Sequence, residues 1–193
     1  LSEDTRSAQQ VFRALLALGS ALPVLVPPIH RFLARVQFTK SSHVGPSFRV
    51  FSLAMPPRHH ESEYAVPLSR AAAAIRELQE LIAARRHRVH FILEFRFVKK
   101  DAAWLSPAYE RDVCFIGAYD ANRRGWPAFR RDYEELMQRC EGRPHWGKEF
   151  SAMPAYLRAA YPRWDDFLRL RQQLDPAGVF VNQHLQAVLG LGP

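Results

Sequence analysis

The chain has 193 residues, 48% of them hydrophobic, 12% aromatic and 24% charged. That length and composition suit one packed domain with a satellite, and they exclude wholesale disorder. Twenty-seven Lys and Arg against 19 Asp and Glu leave a formal charge of +8. Such a balance favours anionic partners, but no nucleic-acid-binding motif accompanies it, so nucleic acid is not expected.

Residues 5–19 read as a helix, with Val11, Phe12, Leu15, Leu16 and Leu18 on its apolar side. A second short helix is expected to follow, ending near residue 36. The uncharged run 14–29 is broken by Pro23, Pro27 and Pro28 and falls short of the ~20 apolar residues a bilayer span needs. It reads as a buried helix pair or as a peripheral membrane contact. The first residues carry neither a cationic nor an apolar leader segment, and with no initiator Met they read as a processed product or a piece.

A polar loop is expected at 41–46, a strand at 47–55 and a short extended piece at 63–66, stopped by Pro67. Residues 69–85 form the clearest helix. Ser69 is the expected N-cap, and Ala71, Ile75, Leu78, Leu81 and Ile82 lie on one stripe. Period two is plain in 89–98. Val89, Phe91, Leu93, Phe95 and Phe97 share a face expected to cover a core, while Glu94 and Arg96 point the other way. A further strand is expected at 111–118, amphipathic helices at 127–139 and 164–174, a turn at Pro176–Gly178, and a last short helix beyond 179–185. The order predicts an α+β fold: an antiparallel sheet with helices on one face, preceded by an N-terminal helical segment (1–40), with 41–193 as one domain.

Nucleotide-loop, dinucleotide-binding, zinc-protease and serine-hydrolase signatures are all missing from the sequence. The neighbours His59 and His60 point to opposite sides of an extended chain, which makes shared metal ligation awkward, and no metal site is expected. Cys114 and Cys140 form no CxxC pair; a reduced pair is expected, with one bridge left open. The run Arg85-Arg86-His87-Arg88 falls at a helix C-terminus, where cations complement the dipole.

Three features remain. Glu94 and Arg96, two apart on a strand, project from one face ~7 Å apart, as a surface ion pair or as part of a ligand site. Arg143-Pro144-His145-Trp146-Gly147-Lys148 has the composition of a binding loop, although Trp146 also suits a core. Asp175-Pro176-Ala177-Gly178-Val179-Phe180-Val181-Asn182 reads as a tight turn after a helix.

Together and in this order, these pieces resemble the C-terminal part of the sugar-1,4-lactone oxidases, flavoenzymes of the vanillyl-alcohol-oxidase superfamily, and most of all the animal-type L-gulonolactone oxidases. Glu63-Tyr64-Ala65-Val66-Pro67, Glu94-Phe95-Arg96-Phe97, Leu105-Ser106-Pro107, the His145-to-Lys148 loop and the 175–182 turn carry the likeness, which runs from about Leu22 onward. The resemblance implies that 41–193 is a substrate-binding cap with a C-terminal tail, and that an FAD-binding domain preceding it lies outside this chain or on another. It implies a sugar-lactone substrate of the L-gulono- or D-arabinono-1,4-lactone type. Glu94, Arg96 and Lys148 become the expected catalytic groups, and His145, Lys148 and Asn182 the expected cofactor contacts. Localisation stays open between the cytoplasm and a membrane, which for an animal-type member would be the endoplasmic reticulum. Reuse of the cap as a flavin-free binding or scaffold protein is the alternative. The chain departs from the animal pattern at Pro67-Leu68-Ser69, where Pro-Arg-Glu is expected, and at Phe115-Ile116-Gly117-Ala118-Tyr119, which is poor in sugar-contacting groups.

Overall fold

The computed structural model describes residues 3–37, 44–50, 58–89, 93–121 and 124–191. At its centre, strands β1 (His60–Pro67), β2 (Glu94–Val98), β3 (Val113–Asp120) and β4 (Arg143–Pro144) form one antiparallel sheet in the order β2-β3-β1-β4. Helices α4 (Leu68–Ala84) and α5 (Trp126–Arg139) pack on one side of it. This is the α+β arrangement predicted.

Alternation divides the strands cleanly. Ser62, Tyr64 and Val66 of β1 and Cys114, Ile116 and Ala118 of β3 point toward the helices and are buried. They meet Ala71, Ala74 and Leu78 of α4, and Phe129, Tyr133, Leu136 and Met137 of α5. The Tyr133 hydroxyl, fully buried, donates to the Ile116 carbonyl at 2.5 Å, so its burial leaves no unmet polar group. Both cysteines are free and buried.

α4 follows β1 directly. Pro67 precedes its first turn, no side chain caps it, and Ser69 lies inside the helix rather than at the cap. Good helix formers carry it to Ala84, where Arg86 turns to φ 54° and the His87 amide returns to the Ile82 carbonyl at 3.0 Å. α5 opens on Trp126-Pro127, whose ring has no N–H to leave unpaired. After α5 the chain reverses at Gly142, where a Cβ would come within 2.7 Å of the Met137 carbonyl oxygen. Only glycine permits that close return into β4.

N-terminal to the sheet, α1 (Glu3–Ala21) and α2 (Val26–Gln37) form a hairpin through the short turn Pro23–Leu25, with Leu16 and Val26 buried. Among the described residues no helix is long and apolar enough to cross a membrane. C-terminal to it, α6 (Pro154–Ala160), α7 (Trp164–Leu174) and α8 (Gln183–Leu189) gather around Leu157, Tyr161, Trp164, Val188 and Leu189. α6 was not expected from the sequence.

Two strand expectations are corrected. Residues 47–50 form a helical turn, α3 (Ser47–Val50), with Val50 N donating to Pro46 O; residues 51–55 lie outside the described residues. The 89–98 strand is reduced to 94–98, and 90–92 lie outside the described residues. Its aromatic face does point to the helix side, yet Phe97 is 70% exposed. β2 is the edge strand, and α4 and α5 sit over β1 and β3. Period two fixes the side a residue faces, not whether anything covers it.

Candidate active site

The site lies on the sheet face away from α4 and α5. There, register places Glu61 opposite Tyr119, Glu63 opposite Gly117, Glu94 opposite Gly117, and Arg96 opposite Phe115. A polar chain results. Arg96 donates to Glu63 Oε1, and its Nε lies 4.0 Å from Glu94 Oε1. The Tyr119 hydroxyl donates to Glu94 Oε2 at 2.6 Å, and the Lys148 ammonium donates to Glu61 Oε2.

Burial varies along this chain. Glu63 is 1% exposed, whereas the Arg96 and Glu94 side chains are 49% and 47% exposed. The hydrogen bond to Glu63 raises the Arg96 pKa, so the guanidinium stays charged. Burial first, then the bond to Glu94, pushes Tyr119 far above its ordinary value; it is a neutral O–H donor throughout the working range. The Arg96 guanidinium also lies over the Phe115 ring, 5.6 Å from its centroid. Gly117 makes room here, because a Cβ at that position would sit 3.0 Å from the Tyr119 ring.

Lys148 reaches this face because its loop is tied down at several points. The His145 amide donates to Glu63 O and the Glu149 amide to Glu61 O, both at 2.9 Å, so the loop runs along the edge of β1. The Glu149 carboxylate accepts from Trp126 Nε1 at 2.9 Å and lies 2.7 Å from His60 Nδ1. Farther on, Ser151 donates its amide and hydroxyl to Glu134, a carboxylate buried in α5. Trp146 turns into the C-terminal cluster, donating to the Tyr161 hydroxyl at 3.2 Å. The loop therefore has one side in the core and one at the site.

Each residue singled out in the sequence can now be placed. Glu94, Arg96 and Lys148 share one face, linked through Glu61, Glu63 and Tyr119. His145 lies beside them, with its ring 6.3 Å from that of Phe115 and its Nδ1 accepting from the Gly147 amide. Asn182 is used differently: its Oδ1 accepts from Leu185 N at 2.8 Å as the N-cap of α8. The 175–182 segment is the turn expected, with the Asp175 carboxylate holding the amides of Val179 and Phe180. His59 and His60 do diverge, one ring toward Tyr119 and the other stacked on Trp126. Among the described residues no three metal-ligating side chains converge.

The three expected catalytic groups are two cations and one carboxylate, but β1 adds Glu61 and Glu63, so three carboxylates face two cations. Strand β3 also contributes a hydroxyl after all, through Tyr119. The signal for Glu61 and Glu63 was available: like Glu94 and Arg96 they are charged residues two apart on a strand, but the expected strand began at 63 and missed the pair. One further feature points outward. Glu63 Oε2 is buried and has no hydrogen-bond partner among the described residues, which suits a donor brought by a ligand.

One face of the four-stranded sheet is thus packed on helices and the other carries interlocked acids and bases. The family described as D-arabinono-1,4-lactone oxidase matches residues 2–188, and the chain belongs to it. It is 34% identical over 172 residues to the L-gulono-1,4-lactone dehydrogenase of Mycobacterium tuberculosis, covering 89% of this chain and 40% of that protein. It is 33% identical over 181 residues to the L-gulonolactone oxidase of Scyliorhinus torazame, with the same two coverages. An alditol oxidase from Streptomyces is 37% identical over 135 residues, 67% of this chain and 31% of that protein. The chain thus spans about two-fifths of the length of the first two relatives.

Proposed function

We propose that this chain is the substrate-binding and C-terminal part of an FAD-dependent aldonolactone oxidoreductase, of the L-gulono- or D-arabinono-1,4-lactone type, acting with a flavin domain. The observation that carries this reading is the continuous chain Lys148–Glu61, Tyr119–Glu94, Arg96–Glu63 across one open sheet face.

The residues fit a flavin facing them. Arg96 and Lys148 offer N–H donors, Phe115 and His145 offer ring surfaces, and Glu63 keeps an unpartnered oxygen. FAD, when bound, supplies the two-electron acceptor that oxidation of a carbinol carbon requires. Lys148 and His145 are assigned to the flavin side; Asn182, with its oxygen engaged in the cap, retains only its amide N–H groups for such a contact.

Glu94 accepts the proton that the substrate hydroxyl loses. The Tyr119 hydroxyl holds one of its oxygens and fixes its orientation. Arg96 and Lys148 stabilise negative charge developing on the substrate oxygen, and each is already held by a carboxylate, so neither must reorganise during reaction. The lactone and the flavin domain are the partners this reading requires.

The test supplies the flavin domain and compares lactone oxidation by wild type and Lys148→Ala. A loss of at least tenfold in turnover is expected, because one preorganised charge is worth a few kcal/mol in the transition state. Equal turnover removes the role of Lys148. If no lactone is oxidised and the chain stays colourless and folded, the flavin-free binding protein is the correct reading.

A further inference from the structure

At the Lys148–Glu61 pair lies an open cleft of about 450 Å³, bordered also by His59, whose ring faces Tyr119. Loop residues Lys148, Glu149 and Phe150, Glu61 of β1, Arg130 of α5 and His184 of α8 line it. Resting on the function proposed above, we infer that this cleft is a subsite for the uncharged, polyhydroxylated tail of the substrate.

Charge decides first. Glu61 and Glu149 balance Lys148 and Arg130, so the carboxylates, lysine and arginine of its walls sum to zero charge. An anionic tail such as a phosphate would meet two carboxylates at the distance of its own counter-charges, and gains little. Hydroxyl groups, each both donor and acceptor, can pair with carboxylate and cation alike.

Hydrogen-bonding capacity decides next. Arg130 Nη1 lies 3.6 Å from Glu134 and 4.0 Å from Glu149, ion-pair distances that leave it without a close acceptor among the described residues. Lys148 directs one N–H at Glu61 and keeps two. Phe150 and His184, edge to face at 6.0 Å, supply apolar surface against which the C–H side of a polyol can lie. Neutral walls, donors left over and an aromatic flank together describe a polyol site.

The geometry gives the cleft a consequence for specificity. Lys148 borders both the cleft and the sheet face, so a substrate whose reacting carbinol lies by Glu94 and Arg96 reaches the cleft only with a sufficiently long tail. The length of the polyhydroxylated chain becomes a basis for selection.

The first test titrates the full chain with sorbitol, glycerol and inorganic phosphate, following the His184 ring protons by NMR, assigned by their loss in His184→Ala. A saturable shift with sorbitol, at least tenfold tighter than with glycerol, supports the subsite. A response to phosphate in place of sorbitol overturns it, as does no response to any of the three. The second test, with the flavin domain supplied, measures kcat/KM for a six-carbon and a four-carbon aldonolactone. His184→Ala and Arg130→Gln should each lower the six-to-four-carbon ratio about fivefold, the worth of roughly one hydrogen bond. A ratio within twofold of wild type overturns the proposal. Failure of the parent reading looks different: wild type then oxidises neither lactone, while the titration still decides the cleft.

Discussion

Arg96 is both a proposed catalytic group and, among the described residues, the charge partner of a buried acid, so Arg96→Met separates the two roles through stability. Glu63 is 1% exposed, its Oε1 held by Arg96 and its Oε2 unpartnered. Removing one member of a fully buried pair costs about 3–5 kcal/mol, because the other charge is stranded. Half of Arg96 is in water, which screens the pair and allows solvent to take its place, so about 2 kcal/mol is expected here. For a chain of this size that is a fall of roughly 4–8 °C in Tm. The assay is urea unfolding of wild type, Arg96→Met, Glu63→Gln and the double variant. The double should recover about 1 kcal/mol relative to Arg96→Met, since a neutral amide replaces the stranded carboxylate. A single variant within about 0.5 kcal/mol of wild type, or a double variant no better than the sum of the singles, refutes the stranded-charge argument.

Other outcomes follow from the same geometry. Tyr119→Phe removes the 2.6 Å hydrogen bond to Glu94 and should lower kcat/KM for a lactone about tenfold, the worth of one charge-assisted bond; steady-state kinetics equal to wild type would show that Glu94 needs no such support. Burial pushes the Glu149 carboxyl up, but the bonds from Trp126 and His60 outweigh it and hold its pKa below the ordinary value. Its folded-state pKa being the lower one, Glu149 contributes stability above the usual carboxylate range that is lost as pH falls through that range and below. Glu149→Gln should therefore flatten the fall in Tm between about pH 5 and 3, and an unchanged slope argues against the tether. Burial raises the thiol pKa of both Cys114 and Cys140. A thiol reagent at pH 8 should label neither in the native chain and both in denaturant, and rapid native labelling would contradict their packing.

What could be read from the sequence was whatever depends on local periodicity. The stripe of α4, the alternation of 94–98 and the turn at Asp175 are each set by residues near one another in the chain, and all three stand in the structure. The end of α4 at the arginine run was readable for the same reason, since cations and a helix terminus suit each other locally. The site was legible only in part. Glu94 and Arg96 share a face by counting, but that Lys148 joins them depends on two backbone hydrogen bonds from the 145–149 loop to β1, a pairing across more than 80 positions that no local pattern encodes.

The missed residues follow the same division. Glu61 and Glu63 change the sign of the site because β1 lies between β3 and β4, which sets its carboxylates against cations from two distant segments. Strand order is a tertiary choice, and with it goes the charge balance. The exposure of Phe97 has the same origin. An apolar strand face is evidence that something covers it, and here the covering helices stop at β3, one strand short of the β2 edge that carries Glu94 and Arg96 on its other side. The same strand thus presents apolar surface on one face and acid–base chemistry on the other. Phe97, 70% exposed on that edge, is apolar surface that the flavin domain of the reading proposed above would cover.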